Sequence, residues 1–278
     1  MDGSTRKNTD IQVLEKRQSD FINCIDTTLL RYHEHKNGID CLKLILPSVL
    51  LPDYISRWIQ IAIEKSLKSL DIYITDCSSF ILPLSVLEAK TLVELSLGKL
   101  WLKPEYAIYS IRLKEFSVVL KFSGCVEVEA PSLEYSNYSE LKKILSIFGP
   151  GIQSIHRGLK MYASRNLKRL RLCDVGITDE FFADIAEKFP QLVMLDIEKC
   201  GDLQRIKISS HSIKRIHLEW NGGLKEVEID VSSINEFEYE GSKIPLFSFT
   251  APFGCSWVSV IVLHYWEWML FDTFVYPN

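Results

Sequence analysis

Between Leu192 and Phe249 the chain writes one six-residue pattern, apolar-x-x-apolar-x-apolar, six times: LVMLDI, LQRIKI, IKRIHL, LKEVEI, INEFEY and IPLFSF. The starts are Leu192, Leu203, Ile213, Leu224, Ile234 and Ile244, at spacings of 11, 10, 11, 10 and 10 residues. Strands recurring this often suit an antiparallel sandwich or a coiling solenoid, and the phase separates the two. A half-buried sandwich strand alternates with period 2 and places its apolar residues at positions 1, 3 and 5. Here they fall at 1, 4 and 6. Positions 4 and 6 share a face, so position 1 must be turned inward by a bend before the strand. That describes a chain winding round a core.

Two spacings sum to about 21 residues, within the roughly 20–29-residue period of leucine-rich repeats. The same pattern starts earlier at Ile39, Leu67, Leu92 and Leu113, spaced 28, 25 and 21 residues, and again at Leu167, 25 residues before Leu192. Between Leu167 and Leu192, Thr178 is placed to cap a helix whose apolar face is Phe182, Ile185, Ala186 and Phe189, with Pro190 ending it. A strand, a helix and a strand in that span form a crossover, which implies parallel strands. After Leu192 the connections shorten to turns such as Cys200-Gly201-Asp202 and Asn221-Gly222-Gly223, so each later coil carries two short strands. The expected fold is therefore an α/β leucine-rich-repeat solenoid, with parallel strands on a concave face and helices or turns on a convex one. One coil buries too little to offset its ordering entropy, so only stacked neighbours are stable.

Cys200 and Asn221 each lie three residues past the last apolar residue of their pattern and are 21 residues apart. A side chain buried at that bend position satisfies backbone groups. Elsewhere, residues 1–20 read as a disordered polar segment, with helical spacing emerging from Phe21 to Leu29. Pro52 and Asp53 open a helix with the face Ile55, Trp58, Ile59 and Ala62. Ala130-Pro131-Ser132-Leu133 turns into another strand, and a helix is expected over Ser139–Phe148. The repeat domain spans 21–252; after Pro252 the pattern stops, and an aromatic segment, 253–278, is expected as a cap on the last coil or as a tail.

The 278 residues are 47% hydrophobic and 24% charged, an ordinary globular balance. A net charge of −4 offers no basic excess for a phosphate backbone, so nucleic acid is not the expected partner. The amino-terminal stretch has no apolar signal core, and no run reaches the roughly 18 apolar residues of a membrane span. Seven scattered cysteines then fit a reducing cytoplasmic or nuclear compartment. Cys24, His33, His35 and Cys41 are the one Cys/His grouping, and they read as surface residues rather than a zinc site. No nucleophile elbow or phosphate loop is present. Neither an enzyme nor a bound metal or cofactor is expected.

Arg57-Trp58-Ile59 before Leu67-Lys68-Ser69-Leu70-Asp71-Ile72, Leu82-Pro83 before Leu92, Ala130-Pro131-Ser132-Leu133-Glu134-Tyr135, and Leu170-Arg171-Leu172 through Phe189-Pro190-Gln191-Leu192 to Cys200 resemble the plant F-box/leucine-rich-repeat proteins. The resemblance covers residues 20–250. It implies a substrate receptor whose F-box docks on the Skp adaptor of a cullin ubiquitin ligase while its repeats hold the client. An F-box would open with a Leu-Pro pair and hold a basic-Trp segment, and neither precedes Phe21. The expectation is the repeat portion alone, with Skp as partner only of a longer form and the client unnamed.

Outward pattern positions 3, 5 and 7 form the candidate partner face. They comprise Ser69, Asp71 and Tyr73; Glu94 and Ser96; Glu115 and Ser117; Arg169 and Arg171; Met194, Asp196 and Glu198; Arg215, His217 and Glu219; and Glu236, Glu238 and Glu240. Neighbouring strands are expected to pair Arg171 with Asp196 and Asp196 with His217. Basic at Arg169 and Arg171 and acidic towards Glu236–Glu240, the face suits a partner with a basic segment.

Overall fold

The computed structural model describes residues 3–34, 38–46, 52–74, 82–100, 106–110, 112–120, 126–140, 159–161, 164–250 and 258–264. The chain divides into two compact units, Met1–Trp101 and Leu102–Asn278, whose boundary differs from the expected divisions at residues 20 and 252.

In the first unit, helix α1 (Gly3–Glu34) begins far ahead of the expected boundary. Residues 3–20 are helical rather than disordered: Lys, Arg, Gln and Glu are good helix formers even where no apolar stripe marks them. Strand β1 (Cys41–Leu46) follows, then α2 (Pro52–Glu64), which buries Ile55, Trp58, Ile59 and Ala62, the face expected from its spacing. Asp26 of α1 ties the helices together by accepting hydrogen bonds from Arg57 and from Trp58 Nε1, the latter at 2.7 Å. Strand β2 (Ser69–Ile74), the short helix α3 (Leu84–Leu87) and β3 (Glu94–Leu100) complete the unit. The three strands are parallel, in the order β1-β2-β3.

The second unit is a parallel-strand leucine-rich-repeat solenoid. Its main sheet runs β5 (Glu115–Leu120), β7 (Tyr135–Glu140), β9 (Arg169–Cys173), β10 (Met194–Glu198), β12 (Arg215–Glu219), β14 (Glu236–Gly241), β16 (Val258–Leu263), all parallel. Between these lie two flanking parallel sheets. One is β4 (Tyr106–Tyr109), β6 (Val126–Glu129) and β8 (Leu159–Met161). The other is β11 (Arg205–Ser210), β13 (Glu226–Val231) and β15 (Leu246–Phe249). The expected two strands per coil after Leu192 are thus present. Leu167, Leu170, Leu172, Leu192, Leu195, Ile197, Leu203, Ile216 and Leu218 are all 0% exposed, so positions 1, 4 and 6 do share one core.

The bend that places position 1 inward is built from backbone. In successive coils the N–H groups of positions 2 and 3 both donate to one carbonyl, that of position 2 in the preceding coil. Val93 and Glu94 share Lys68 O; Glu134 and Tyr135 share Lys114 O; Lys168 and Arg169 share Glu134 O; Val193 and Met194 share Lys168 O; Lys214 and Arg215 share Val193 O; Asn235 and Glu236 share Lys214 O. Just before it, a tight turn returns the position-1 N–H to a carbonyl three residues back, as in Leu133 to Ala130, Leu192 to Phe189 and Leu224 to Asn221. The flanking sheet repeats the device, with Lys225 and Glu226 on Gln204 O. Its first strand, β11, has no earlier coil to lean on, and there the Asp179 carboxylate takes the carbonyl's place, accepting from Gln204 N at 2.9 Å and Arg205 N at 3.1 Å.

This role explains a difference from expectation. The crossover before Leu192 is no continuous helix but a 3-10 turn (Asp179–Phe182) and a single α turn, α4 (Ile185–Lys188). Thr178 sits at the first turn's cap without a side-chain hydrogen bond, and Ala186 is exposed. Phe182, Ile185 and Phe189 are buried as expected. The break lets Asp179 face β11, and a spacing-based reading cannot see that demand. Ser139 and Glu140, expected to open a helix, end strand β7 instead, where the parallel ladder extends them; residues 141–148 lie outside the described residues. Nor does the repeat stop at Pro252. β16 continues the main sheet in register with β14 although it lacks the leucine signature, and its residues 258–262 are exposed. The rest of the expected cap, 265–278, lies outside the described residues.

Asn221 holds adjacent coils together at the exit bend. It is 3% exposed; its Oδ1 accepts from Cys200 N at 2.8 Å and its Nδ2 donates to Ile197 O at 3.0 Å. Asn221→Ala orphans one buried donor and one buried acceptor, so it should destabilise the unit by roughly 2–4 kcal/mol. Asp179→Ala, whose bonds are exposed, should cost about 1 kcal/mol. Urea unfolding of the two variants checks both the sizes and their order.

Candidate functional site

Because positions 3, 5 and 7 alternate with buried positions 4 and 6, the parallel register lines the outward side chains into rows across the main sheet. From β9 to β16, the position-3 row is Arg169, Met194, Arg215, Glu236, Val258; the position-5 row is Arg171, Asp196, His217, Glu238, Val260; the position-7 row is Cys173, Glu198, Glu219, Glu240, Val262. Eleven of the eighteen face residues singled out from sequence therefore sit on four adjacent strands. Glu115 and Ser117 lie on β5, and the other five belong to the first unit, where Asp71 and Tyr73 are half-buried on β2 and Glu94 is exposed on β3. There Lys43 Nζ lies 2.7 Å from Asp71 Oδ2. The Tyr73 ring covers Gly98, where a Cβ would meet its Cδ2 at 2.3 Å.

Charge changes sign along the second unit's rows. β9 presents two exposed arginines, Arg169 lying over the Tyr135 ring at 5.4 Å, and β14 presents three half-buried glutamates. Within the face the ion pairs differ from those expected. Arg171 reaches diagonally to Glu198 Oε2 at 2.8 Å rather than to Asp196 opposite it. Lys199, at the exit bend, also pairs with Glu198, which is 8% exposed and so forms part of the interior rather than of the surface. Burial opposes ionisation of Glu198, but hydrogen bonds from Lys199 and Arg171 prevail and hold its carboxyl down to about 2. Asp196 lies in register between Arg171 and His217. Burial raises its carboxyl, and the charges of His217, Arg171 and Arg215 offset only part of that. Arg215 pairs with Glu236, and His217 Nε2 is 3.9 Å from Glu219 Oε2.

At the ends of β9, β10 and β12 the chain turns through a left-handed residue: Asp174, Lys199 and Trp220, with φ of 56°, 55° and 53°. Each donates its N–H to the next coil, to Glu198 O, Glu219 O and Glu240 O. Cys200 and Asn221 follow directly, both buried, Cys200 Sγ lying 3.4 Å from Glu198 O. Sequence reasoning passed over Lys199, Trp220 and His264. Their signal is positional, since each lies just past the outward rows, and it shows only once the register is known. The Trp220 and His264 rings lie 4.9 Å apart, and His264 Nε2 is 2.8 Å from Glu240 Oε1.

Among the described residues, no group of three or more His, Cys, Asp and Glu is placed to hold a metal ion, and no helix is long and apolar enough to cross a membrane. The arrangement offers a broad, charged, ordered sheet face, suited to recognition.

Residues 150–260 match the family model described as At1g61320/AtMIF1, LRR domain. The matched stretch contains β9 to β15 and with them the arginine and glutamate rows of β9 to β14, so these coils are similar to that leucine-rich-repeat family. No curated protein and no solved structure matches the chain.

Glu198 gives the face a pH signature. Its folded pKa, about 2, lies below the ordinary 4.5, so its stabilisation is complete above pH 4.5 and is lost as pH falls through 2. With its two cations half-exposed, that contribution is about 2 kcal/mol. Urea midpoints of wild type and Glu198→Gln should differ at pH 6 and converge as pH falls towards 2.5; a pH-independent gap would refute the assignment.

Proposed function

We propose that this chain is a non-enzymatic protein-interaction module that holds a basic segment of its partner against the acidic end of the main-sheet face. The observation that carries the reading is the row arrangement: Glu236, Glu238 and Glu240 on β14 lie beside Glu219 on β12, while the arginines stand at the other end on β9. A sign change of this kind steers a partner and fixes its direction more than it adds raw affinity. A leucine-rich-repeat fold supports an interaction role in general.

Within this reading we assign the chain to the client-holding repeats of an F-box type ubiquitin-ligase receptor. That assignment is supported by the order of motifs from Arg57 to Cys200. The alternative is a scaffold or decoy that holds the same client without Skp. A pull-down with purified Skp adaptor separates them: retention supports the receptor, and no retention with an intact client interaction supports the scaffold.

Charge reversal at Glu236, Glu238 and Glu240 together should weaken client capture by about 10-fold or more at low salt, with a smaller effect at high salt. Unchanged capture, measured by biolayer interferometry, would sink the proposed face. Reversal at Lys207 on the flanking sheet is the control, since its partner there is Glu228 at 2.8 Å.

A further inference from the structure

The position-7 row sets three glutamates in register on adjacent strands: Glu198 opposite Glu219, and Glu219 opposite Glu240. Like charges directly opposite one another oppose folding. Glu198 is relieved by Arg171 and Lys199, and Glu240 is met by His264. Glu219 has His217 at 3.9 Å and the nearby charge of Lys199, which is already bonded to Glu198, and His217 is itself opposite Glu238. Among the described residues, no lysine or arginine pairs with Glu219, Glu238 or Glu240.

Beside this deficit stands an aromatic surface. Trp220 is half-buried one residue past Glu219, and the residue one past Glu240 is Gly241, so no side chain separates the indole from His264 across the strand. Trp220, Asn221, Tyr239 and Gly241 line a concavity at this spot, together with the cationic Lys243 at its rim. A Cβ at Gly241 would approach the Tyr239 hydroxyl to 2.6 Å, so the place of that ring in the lining depends on glycine there. The imidazole of His264 shows what fits: a flat, nitrogen-bearing group lying beside Trp220 at a 36° tilt, with Nε2 2.8 Å from Glu240 Oε1.

We propose that this end of the face seats an arginine side chain of the partner, its guanidinium lying against the Trp220 indole and donating to the carboxylates of Glu219 and Glu240. The proposal rests on the basic-segment reading above and names its anchor. A guanidinium is planar, stacks on aromatic faces and presents several donors in one fork, so it satisfies two carboxylates and an indole together. An ammonium meets the charge but not the plane. A half-buried tryptophan ringed by polar groups is also the residue type on which binding energy concentrates. A metal ion is the poorer occupant, because no qualifying ligand group exists among the described residues.

The test uses the full chain and synthetic peptides of equal length in a Gly/Ser background, carrying paired arginines, paired lysines or paired glutamates, with affinities read by calorimetry. The arginine peptide should bind about 5-fold more tightly than the lysine peptide. The glutamate peptide should not bind. Trp220→Ala should abolish the arginine preference while Trp220→Phe, which keeps a ring, retains most of it. Glu219→Gln should weaken both basic peptides. Equal binding of arginine and lysine peptides to the wild type, an arginine preference that survives Trp220→Ala, or no binding of either basic peptide would overturn the seat. If the seat fails while reversal of Glu236, Glu238 and Glu240 still releases the client, the error lies in the anchor alone and the broader reading stands.

Discussion

The repeat depends on one carbonyl in each coil accepting two N–H groups from the next. Sharing Lys168 O, for example, forces Val193 and Met194 to approach from a bent backbone, and the bend swings Leu192 under the strand that follows it. A straight ladder would have put Leu192 on the same side as Met194, facing solvent, and opened a gap in the core at every coil. The apolar phase 1, 4, 6 is thus the sequence trace of a hydrogen-bonding arrangement. Where it cannot be completed the chain compensates. Asp179 supplies a carboxylate to the first strand of the flanking sheet. At its last strand, Pro245 occupies position 2 and donates nothing, which leaves only Leu246 to bond Lys225 O.

The exit from each strand is solved by different means. Asp174, Lys199 and Trp220 take left-handed conformations that side chains ordinarily avoid, and each is held by an N–H bond to the following coil. Asn221 then satisfies a donor and an acceptor of the coil before it. Entry and exit bends together leave little freedom in the register, and register is what aligns the outward rows. A face with arginines on one strand and glutamates two or three strands away needs that alignment, because a one-residue slip would send the charges into the core.

How far the sequence disclosed this varies with the length scale. The core was legible: the apolar pattern gave positions 1, 4 and 6, and the α2 face came directly from Ile55, Trp58, Ile59 and Ala62. Parallel strands followed from crossover length. What escaped were features decided by neighbouring coils. The turn at Asp179–Phe182 answers to an edge strand 25 residues later. β16 lacks the leucine signature and owes its place to pairing with β14. At the face, phase identifies the charged residues, but phase alone places Glu198 on the surface. Its burial depends on Arg171 one strand back and Lys199 beside it, a diagonal that a row-by-row reading does not contain. Trp220 was invisible because its importance comes from Gly241 and His264, which the register brings beside it.

The alignment of the outward side-chain rows is therefore a consequence of the backbone hydrogen bonds at the bends. The claim most open to direct test is the shared carbonyl. Native-state hydrogen exchange on the free chain reads it residue by residue at Lys168, Val193, Lys214 and Asn235, the position-2 amides, and at Arg169, Met194, Arg215 and Glu236 beside them. With both amides bonded to one carbonyl, each pair should be protected to the same degree as the strand that follows. Rapid exchange at position 2 with protection beginning only at position 3 would mean a plain ladder, and would contradict the bend from which the face is built.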